Sequence, residues 1–223
     1  MIIVGELINS SRKAIKEAID KGDIEYIKKI AVDQEEAGAT YIDVNAGTFV
    51  GTEIEHLKWM IENIQQVVDI PCCIDSPDPK ALEAALKVHK GTAMINSISL
   101  EEDRYDAVLP VVAGTDPLVQ PIGTDDTYGF EFLDSVAAIT TQFKGVHTMC
   151  GLSNISFGLP ERKYINRNFA VMAIARGLDG LIINPLDRDM MGSIVTAEML
   201  AGRDEFCAEY LQAFRAGIIG NPK

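Results

Sequence analysis

The sequence predicts an α/β protein of the TIM (β/α)8 barrel type, short of about one βα unit. Short apolar runs alternate with longer amphipathic segments along the chain, the pattern of parallel strands joined by crossover helices. Almost every apolar run also ends in an acid or an amide, as strands do in a barrel whose ligand site lies at their carboxyl ends. The length agrees: 223 residues is somewhat below the ~250 of a complete barrel.

The elements follow in order. IIVGE at 2–6 is the first strand, and its helix includes DIEYIKKIAVDQEEAGA. TYIDVN at 40–45 is the second, and Ile54, Leu57, Met60, Ile61 and Ile64 behind it recur at helical spacing. The third apolar run, Ile70 to Ile74, delivers Asp75 and stops at a turn, after which Pro79 suits a first helical turn. TAMINS at 92–97 is the fourth strand, followed by the helix EEDRYDAVLPVV. DPLV at 116–119, VHTMCGLS at 146–153 and GLIINP at 180–185 are the remaining three of seven strands, each followed by a helical segment.

Between Val112 and Asp116 stand only the residues AGT, where one more strand and helix, roughly 30 residues, would complete eight units. An open barrel exposes strand edges, so the shortfall predicts either association with a partner subunit or a misfolded product. No Pro-, Gly- or Ser-rich linker divides the chain, and residues 1–223 read as one domain.

Charge narrows the partners. Asp and Glu number 33 against 20 Lys and Arg, a formal charge of −13 that repels nucleic-acid backbones and anionic lipid. Four apolar residues precede Glu6, too few for a signal-peptide core, and no run approaches the ~18 apolar residues of a membrane span. A cytoplasmic protein is expected. Cys72, Cys73, Cys150 and Cys207 form no C-x-x-C pair, and His56, His89 and His147 stand far apart, so no bound metal is required.

The strand ends supply Glu6 and Asn9, Asp43 and Asn45, Asp75 and Ser76, Asn96 and Ser97, Asp116, Ser153 and Asn154, and Asn184. Taken singly, each reads as a helix cap or turn former. Gathered on one rim, they form a binding site. Carboxylates and amides without a basic cluster or a glycine-rich phosphate loop suit a neutral, flat heterocycle with N–H donors and a carbonyl acceptor.

Seven stretches carry a resemblance: GELIN (5–9), YIDVNAG (41–47), CIDSPDPKALEAAL (73–86), MINSIS (94–99), DPLVQPIGT (116–124), GLSNISFGLP (151–160) and INRNFAVMAIARGLD (165–179). In this order they resemble the pterin-binding methyltransferases, which move a methyl group between methyltetrahydrofolate and a corrinoid protein. The resemblance is nearest to the methyltetrahydrofolate methyltransferase of glycine betaine systems. It implies that Asp75, Asn96 and Asp116 hold the pterin, that Asp43 and Asn45 line the same cavity, and that Gly151 and Ser153 contact the ring. Asn154 falls on the asparagine that hydrogen-bonds N5 and is the expected catalytic residue. Tetrahydrofolate or 5-methyltetrahydrofolate is then the substrate, cobalamin is carried by a partner corrinoid protein, and family analogy implies a homodimer.

A carboxylate such as Asp75 accepts the paired N–H donors of a 2-amino-4-oxo pyrimidine. The Asn154 amide stabilises charge at N5 more strongly at the barrier than in the ground state. Arg162, Lys163 and Arg167 read equally as cations for a folate tail or as solvated helix charges, and Met190 and Met191 as core packing or as an apolar rim for the corrinoid partner. Two alternatives remain at this point: dihydropteroate synthase, whose diphosphate-binding motif and catalytic loop are not seen, and a folate-binding module without turnover.

Overall fold

The computed structural model describes residues 1–96, 114, 115, 119–143 and 147–220. The chain divides into two units, residues 2–112 and residues 113–223 together with Met1.

The first unit alternates strand and helix: β1 (Ile2–Asn9), α1 (Lys13–Lys21), α2 (Ile24–Glu36), β2 (Tyr41–Asn45), α3 (Glu53–Ile64), β3 (Cys72–Asp75), α4 (Pro79–Val88) and β4 (Met94–Asn96). Its strands lie in the order β1-β2-β3-β4, each pair parallel. The expected single helix after β1 is two helices. Gly22 adopts φ 65° and Asp23 accepts a hydrogen bond from the Tyr26 N–H, so one helix stops on a left-handed glycine and the next starts on an aspartate cap. Pro79 opens α4 as expected, and the capping carboxylate is Asp78, which accepts from the Lys80 N–H.

The core forms where the helical and strand periodicities meet. Leu57, Met60, Ile61 and Ile64 on α3 are fully buried, as are Ile42 and Val44 on β2, Cys72 and Ile74 on β3, and Ile27 on α2. Burying each large aliphatic side chain stabilises the fold by about 1.5–3 kcal/mol. The alternate residues of β2 and β3, Asp43, Asn45, Cys73 and Asp75, point to the other face.

The β1–β2 ladder shifts register between Gly5 and Ile8: Gly5 pairs with Ile42, whereas Ile8 pairs with Val44. The fully buried Gln34 of α2 fills this bulge, its Oε1 accepting from the Leu7 N–H at 3.0 Å. A Cβ at Gly5 would stand 2.5 Å from that oxygen. Gly5→Ala is therefore expected to destabilise the protein by about 1–3 kcal/mol, visible as a lower urea midpoint.

His89 follows α4 and secures the start of β3, its Nε2 accepting from the Cys72 N–H at 3.0 Å. Partial burial lowers its pKa from the usual imidazole value. The group is more easily protonated in the unfolded chain, so its stabilising contribution is complete above the unfolded pKa, ~6.5, and is lost as pH falls through that value toward the folded one. The margin in urea midpoint of wild type over His89→Ala is therefore expected to narrow from about pH 7.5 to about pH 5.5.

The second unit contains β5 (Gly114–Thr115), α5 (Tyr128–Gln142), β6 (His147–Gly151), a 3-10 turn (Leu152–Ser156), α6 (Arg162–Ala175), β7 (Gly180–Ile183), α7 (Arg188–Leu200), a second 3-10 turn (Glu205–Cys207) and α8 (Ala208–Arg215). Strands β5, β6 and β7 are adjacent in that order and parallel. Phe132 and Phe169 meet with ring centroids 5.4 Å apart, joining α5 to α6, and Leu152, Ile155, Ile174 and Leu178 pack as buried residues. Arg203 ties off α6 by donating to the carbonyls of Ile174 and Leu178.

Seven strands are present among the described residues. The fifth differs from expectation, since its described part is Gly114–Thr115, in the stretch read as a connection. Residues 116–118 of the expected strand and the expected helix at 101–112 lie outside the described residues. Among the described residues, no helix is long and apolar enough to cross a membrane.

Candidate functional site

Parallel register places four strand-end residues in one row. Asn9 pairs with Asn45, Asn45 with Asp75, and Asp75 with Asn96, from β1 across to β4. Successive residues of a strand face opposite ways, so members of such a row project to one face. Asp43 pairs with Cys73 and Cys73 with Met94, forming the row beneath. The sequence-predicted Asp43, Asn45, Asp75 and Asn96 are thus brought together within the first unit.

Their hydrogen bonds define the chemistry. Asn45 Nδ2 donates to Asp75 Oδ2 at 2.9 Å. Its Oδ1 accepts from the Ser10 hydroxyl and from the Gly47 N–H, both at 3.0 Å, which fixes which way the amide points. Asn96 Nδ2 approaches Asp43 Oδ1 at 3.4 Å. Ser76 links three elements: its N–H donates to the Asn96 carbonyl, and its hydroxyl donates to Glu53 Oε1 at 2.6 Å while accepting from the Asp78 N–H. Asp75 is therefore not the helix cap that its position after a strand would allow. Asp78 performs that task.

Asp43 is 2% exposed. Burial, followed by the charge of Asp75, pushes its pKa up to about 8, against opposing hydrogen bonds from Asn96 and Cys73. Burial also raises the pKa of Asp75, which the Asn45 hydrogen bond lowers and Glu53 raises again. Two carboxylates this close do not both ionise freely, and the deeper one holds a proton near neutrality. The site can therefore present one acceptor and one donor to a polar ring edge.

In the second unit, Gly151 ends β6, and Ser153 and Asn154 lie in the 3-10 turn after it. Neither side chain caps α6, whose N-cap is Glu161 with no side-chain cap bond. Arg162 buttresses the turn by donating to the Ser153 carbonyl at 2.6 Å and to Ser156 Oγ at 2.9 Å. Asn154 is exposed, and its amide has no partner among the described residues. Arg167 pairs with Asp187 and Asp189, and Met190 and Met191 are buried, so structural contacts account for these three. Asn184 forms a turn, accepting from the Leu186 N–H.

Asp116 and Ser97 lie outside the described residues. Ser10 and Glu53 were not singled out by sequence reasoning, although Ser10 follows the GELIN stretch directly and Glu53 sits in the first turn of α3. A cavity of about 710 Å³ in the second unit is lined by Val171, Arg188, Thr196, Leu200 and Tyr210 among others, and by no sequence-predicted site residue. Among the described residues, no group of three or more His, Cys, Asp or Glu side chains is placed to hold a metal ion.

Comparison with known proteins adds identity to this geometry. Residues 5–119 match the family model described as pterin binding enzyme. A methylcorrinoid:tetrahydrofolate methyltransferase of Eubacterium limosum is 36% identical over 266 aligned positions, covering 99% of this chain and 98% of the relative. Those positions exceed the chain's 223 residues, so the relative carries residues without a counterpart here. A methionine synthase of Mycobacterium leprae is 23% identical over 82% of this chain and 20% of its own length. Among solved structures, a 7,8-dihydropteroate synthase of Vibrio fischeri superposes with a TM-score of 0.67 at 15% identity, covering 91% of this chain and 93% of that one. The fold is accordingly α/β of the TIM-barrel type, with seven strands among the described residues where a complete barrel has eight.

Proposed function

The chain belongs to the pterin binding enzyme family, and from that premise we infer that it is a methyltransferase acting between a corrinoid protein and tetrahydrofolate. The observation that carries the pterin half is the row Asn45, Asp75, Asn96 above the buried Asp43. The methyl half follows from a relative, aligned over 98% of its own length, whose name states this reaction. The dihydropteroate synthase likeness, at 15% identity, is one of fold alone.

In this reading Asp75 accepts the two adjacent N–H donors of the pterin's pyrimidine edge, while Asn96 and the protonated Asp43 serve the ring nitrogens and carbonyl. Asp116, Gly151 and Ser153 are assigned to the ring on the sequence resemblance alone. With a methylcorrinoid as donor, the bond from cobalt to methyl breaks, cobalt keeps the electron pair, the methyl joins N5 of tetrahydrofolate, and the N5 proton leaves. Asn154 attends N5. Being free of protein partners among the described residues, its amide can turn to accept the N5–H as positive charge grows, or to donate to the N5 lone pair in the reverse direction.

The finer features belong to the same reading. Residues 1–223 act as one catalytic domain, the folate is substrate, the cobalamin arrives on a corrinoid protein, and no resident metal takes part. The protein works as a homodimer in the cytoplasm, a reducing setting in keeping with the buried thiols of Cys72 and Cys73.

The test is direct. Protein mixed with methylcob(III)alamin and tetrahydrofolate is expected to release cob(I)alamin, followed by its absorbance, and to form 5-methyltetrahydrofolate in equal amount. Absence of transfer together with condensation of a pterin diphosphate and 4-aminobenzoate would establish a dihydropteroate synthase instead. Folate binding without either reaction would leave a binding module.

A further inference from the structure

The Asn45 amide is held from behind. Ser10, 1% exposed, follows β1 and donates its hydroxyl to Asn45 Oδ1 at 3.0 Å. The same hydroxyl accepts from the Thr48 N–H at 3.1 Å, and the Ser10 N–H donates to the Asn45 carbonyl at 3.0 Å. Because Thr48 consumes the acceptor side of the hydroxyl, its proton is directed at Asn45. The Gly47 N–H donates to the same Oδ1. With two donors on the oxygen, the amide's NH2 is left facing Asp75 Oδ2 at 2.9 Å. An amide flipped the other way would set an oxygen against the carboxylate and an NH2 group against two donors.

We propose that Ser10 is a positioning residue: by fixing the orientation of the Asn45 amide, it presents Asp75 as a hydrogen-bond acceptor for the pterin. This rests on the pterin-binding reading above. Asp75 needs such help because acids surround it, with Asp43 on β2 and Glu53 on α3 both within electrostatic range, while Cys73 of its own strand is a neutral thiol. The neighbour on β4, Asn96, is an amide whose Nδ2 is directed at Asp43. Asn45 is the side-chain donor that opposes protonation of Asp75. Ser10 acts on Asp75 from behind the amide, so its effect must pass through Asn45.

That dependence makes a double-mutant cycle decisive. The readout is the titration of the Asp75 carboxyl carbon, followed by 13C NMR in the ligand-free full chain. Ser10→Ala is expected to move the midpoint upward by about half a unit or more, Asn45→Ala to move it at least as far, and the double variant to match Asn45→Ala. Ser10→Thr, which keeps a hydroxyl, is expected to retain the wild-type midpoint. Tetrahydrofolate binding by Ser10→Ala is expected to weaken about fivefold, the effect of one neutral hydrogen bond.

An unmoved midpoint in folded Ser10→Ala, or a shift of equal size added on top of Asn45→Ala, overturns the proposal. The two readings fail separately. A normal cycle in a protein that does not bind tetrahydrofolate sinks the pterin reading and leaves the chain of hydrogen bonds standing; normal folate binding with an unmoved midpoint sinks only the role of Ser10.

Discussion

Asp75→Ala is expected to raise the dissociation constant for tetrahydrofolate by about two to three orders of magnitude. A carboxylate that accepts two neighbouring N–H groups makes two charge-assisted hydrogen bonds, each worth about 1.5–3 kcal/mol, and alanine removes both while leaving Asn45 Nδ2 without its 2.9 Å partner. Asp75→Asn isolates the cause. It keeps the shape, yet turns one acceptor into a donor facing the ligand's own donors, so binding should be lost nearly as far. Stability should move the other way. Burial and Glu53 raise the pKa of Asp75, so its ionised form is disfavoured in the folded state. That cost is absent below the unfolded pKa, grows as pH rises past it, and is complete above the folded one. Calorimetric titration with tetrahydrofolate, beside urea unfolding at the same neutral pH, is expected to show Asp75→Asn weak in binding and no less stable than wild type.

Asn154→Ala is expected to lower kcat about 10²-fold while changing the KM for tetrahydrofolate little. A single preorganised group at the atom where charge develops is worth about 10²–10³ in rate, and an interaction made mainly at the barrier appears in kcat. The side chain is exposed and without a partner among the described residues, so its removal should alter stability by less than about 0.5 kcal/mol. An equal rise in KM with kcat intact would move Asn154 from chemistry to ring binding. Stopped-flow measurement of cob(I)alamin formation at saturating tetrahydrofolate separates the two.

What could be seen in the sequence was whatever leaves a local trace. Alternation along TYIDVN and CCID turns Asp43, Asn45 and Asp75 away from the aliphatic core, and that alone places them on one face. The α3 stripe from Leu57 to Ile64 is likewise local and was found where expected. The division between α1 and α2 escaped because helical periodicity on both sides masks a single Gly22–Asp23 break. Which aspartate caps α4 was ambiguous, since Asp75 and Asp78 both precede Pro79; the Lys80 N–H donating to Asp78 settles it.

The role of Ser10 could not be read, because its partner stands 35 positions away and becomes a neighbour only through the pairing of β1 with β2. Glu53 was hidden for the same reason, reaching Ser76 across 23 positions. Arg167 looked like a free cation until its acidic partners from the stretch after β7 were in place.

The surplus residue in β1 between Gly5 and Ile8 decides more than local twist. Counting on from Val4 opposite Tyr41 with no residue bulged out, Ile8 would fall opposite Asn45; with one bulged out, Asn9 does. Ser10 owes its place behind the amide to that offset. Loss of one codon at Glu6 or Leu7 would remove the bulge and leave Asn9 opposite Asn45, whereas one codon added there would set Ile8 opposite Asn45, turn an aliphatic side chain toward the ligand face and carry the serine out of reach.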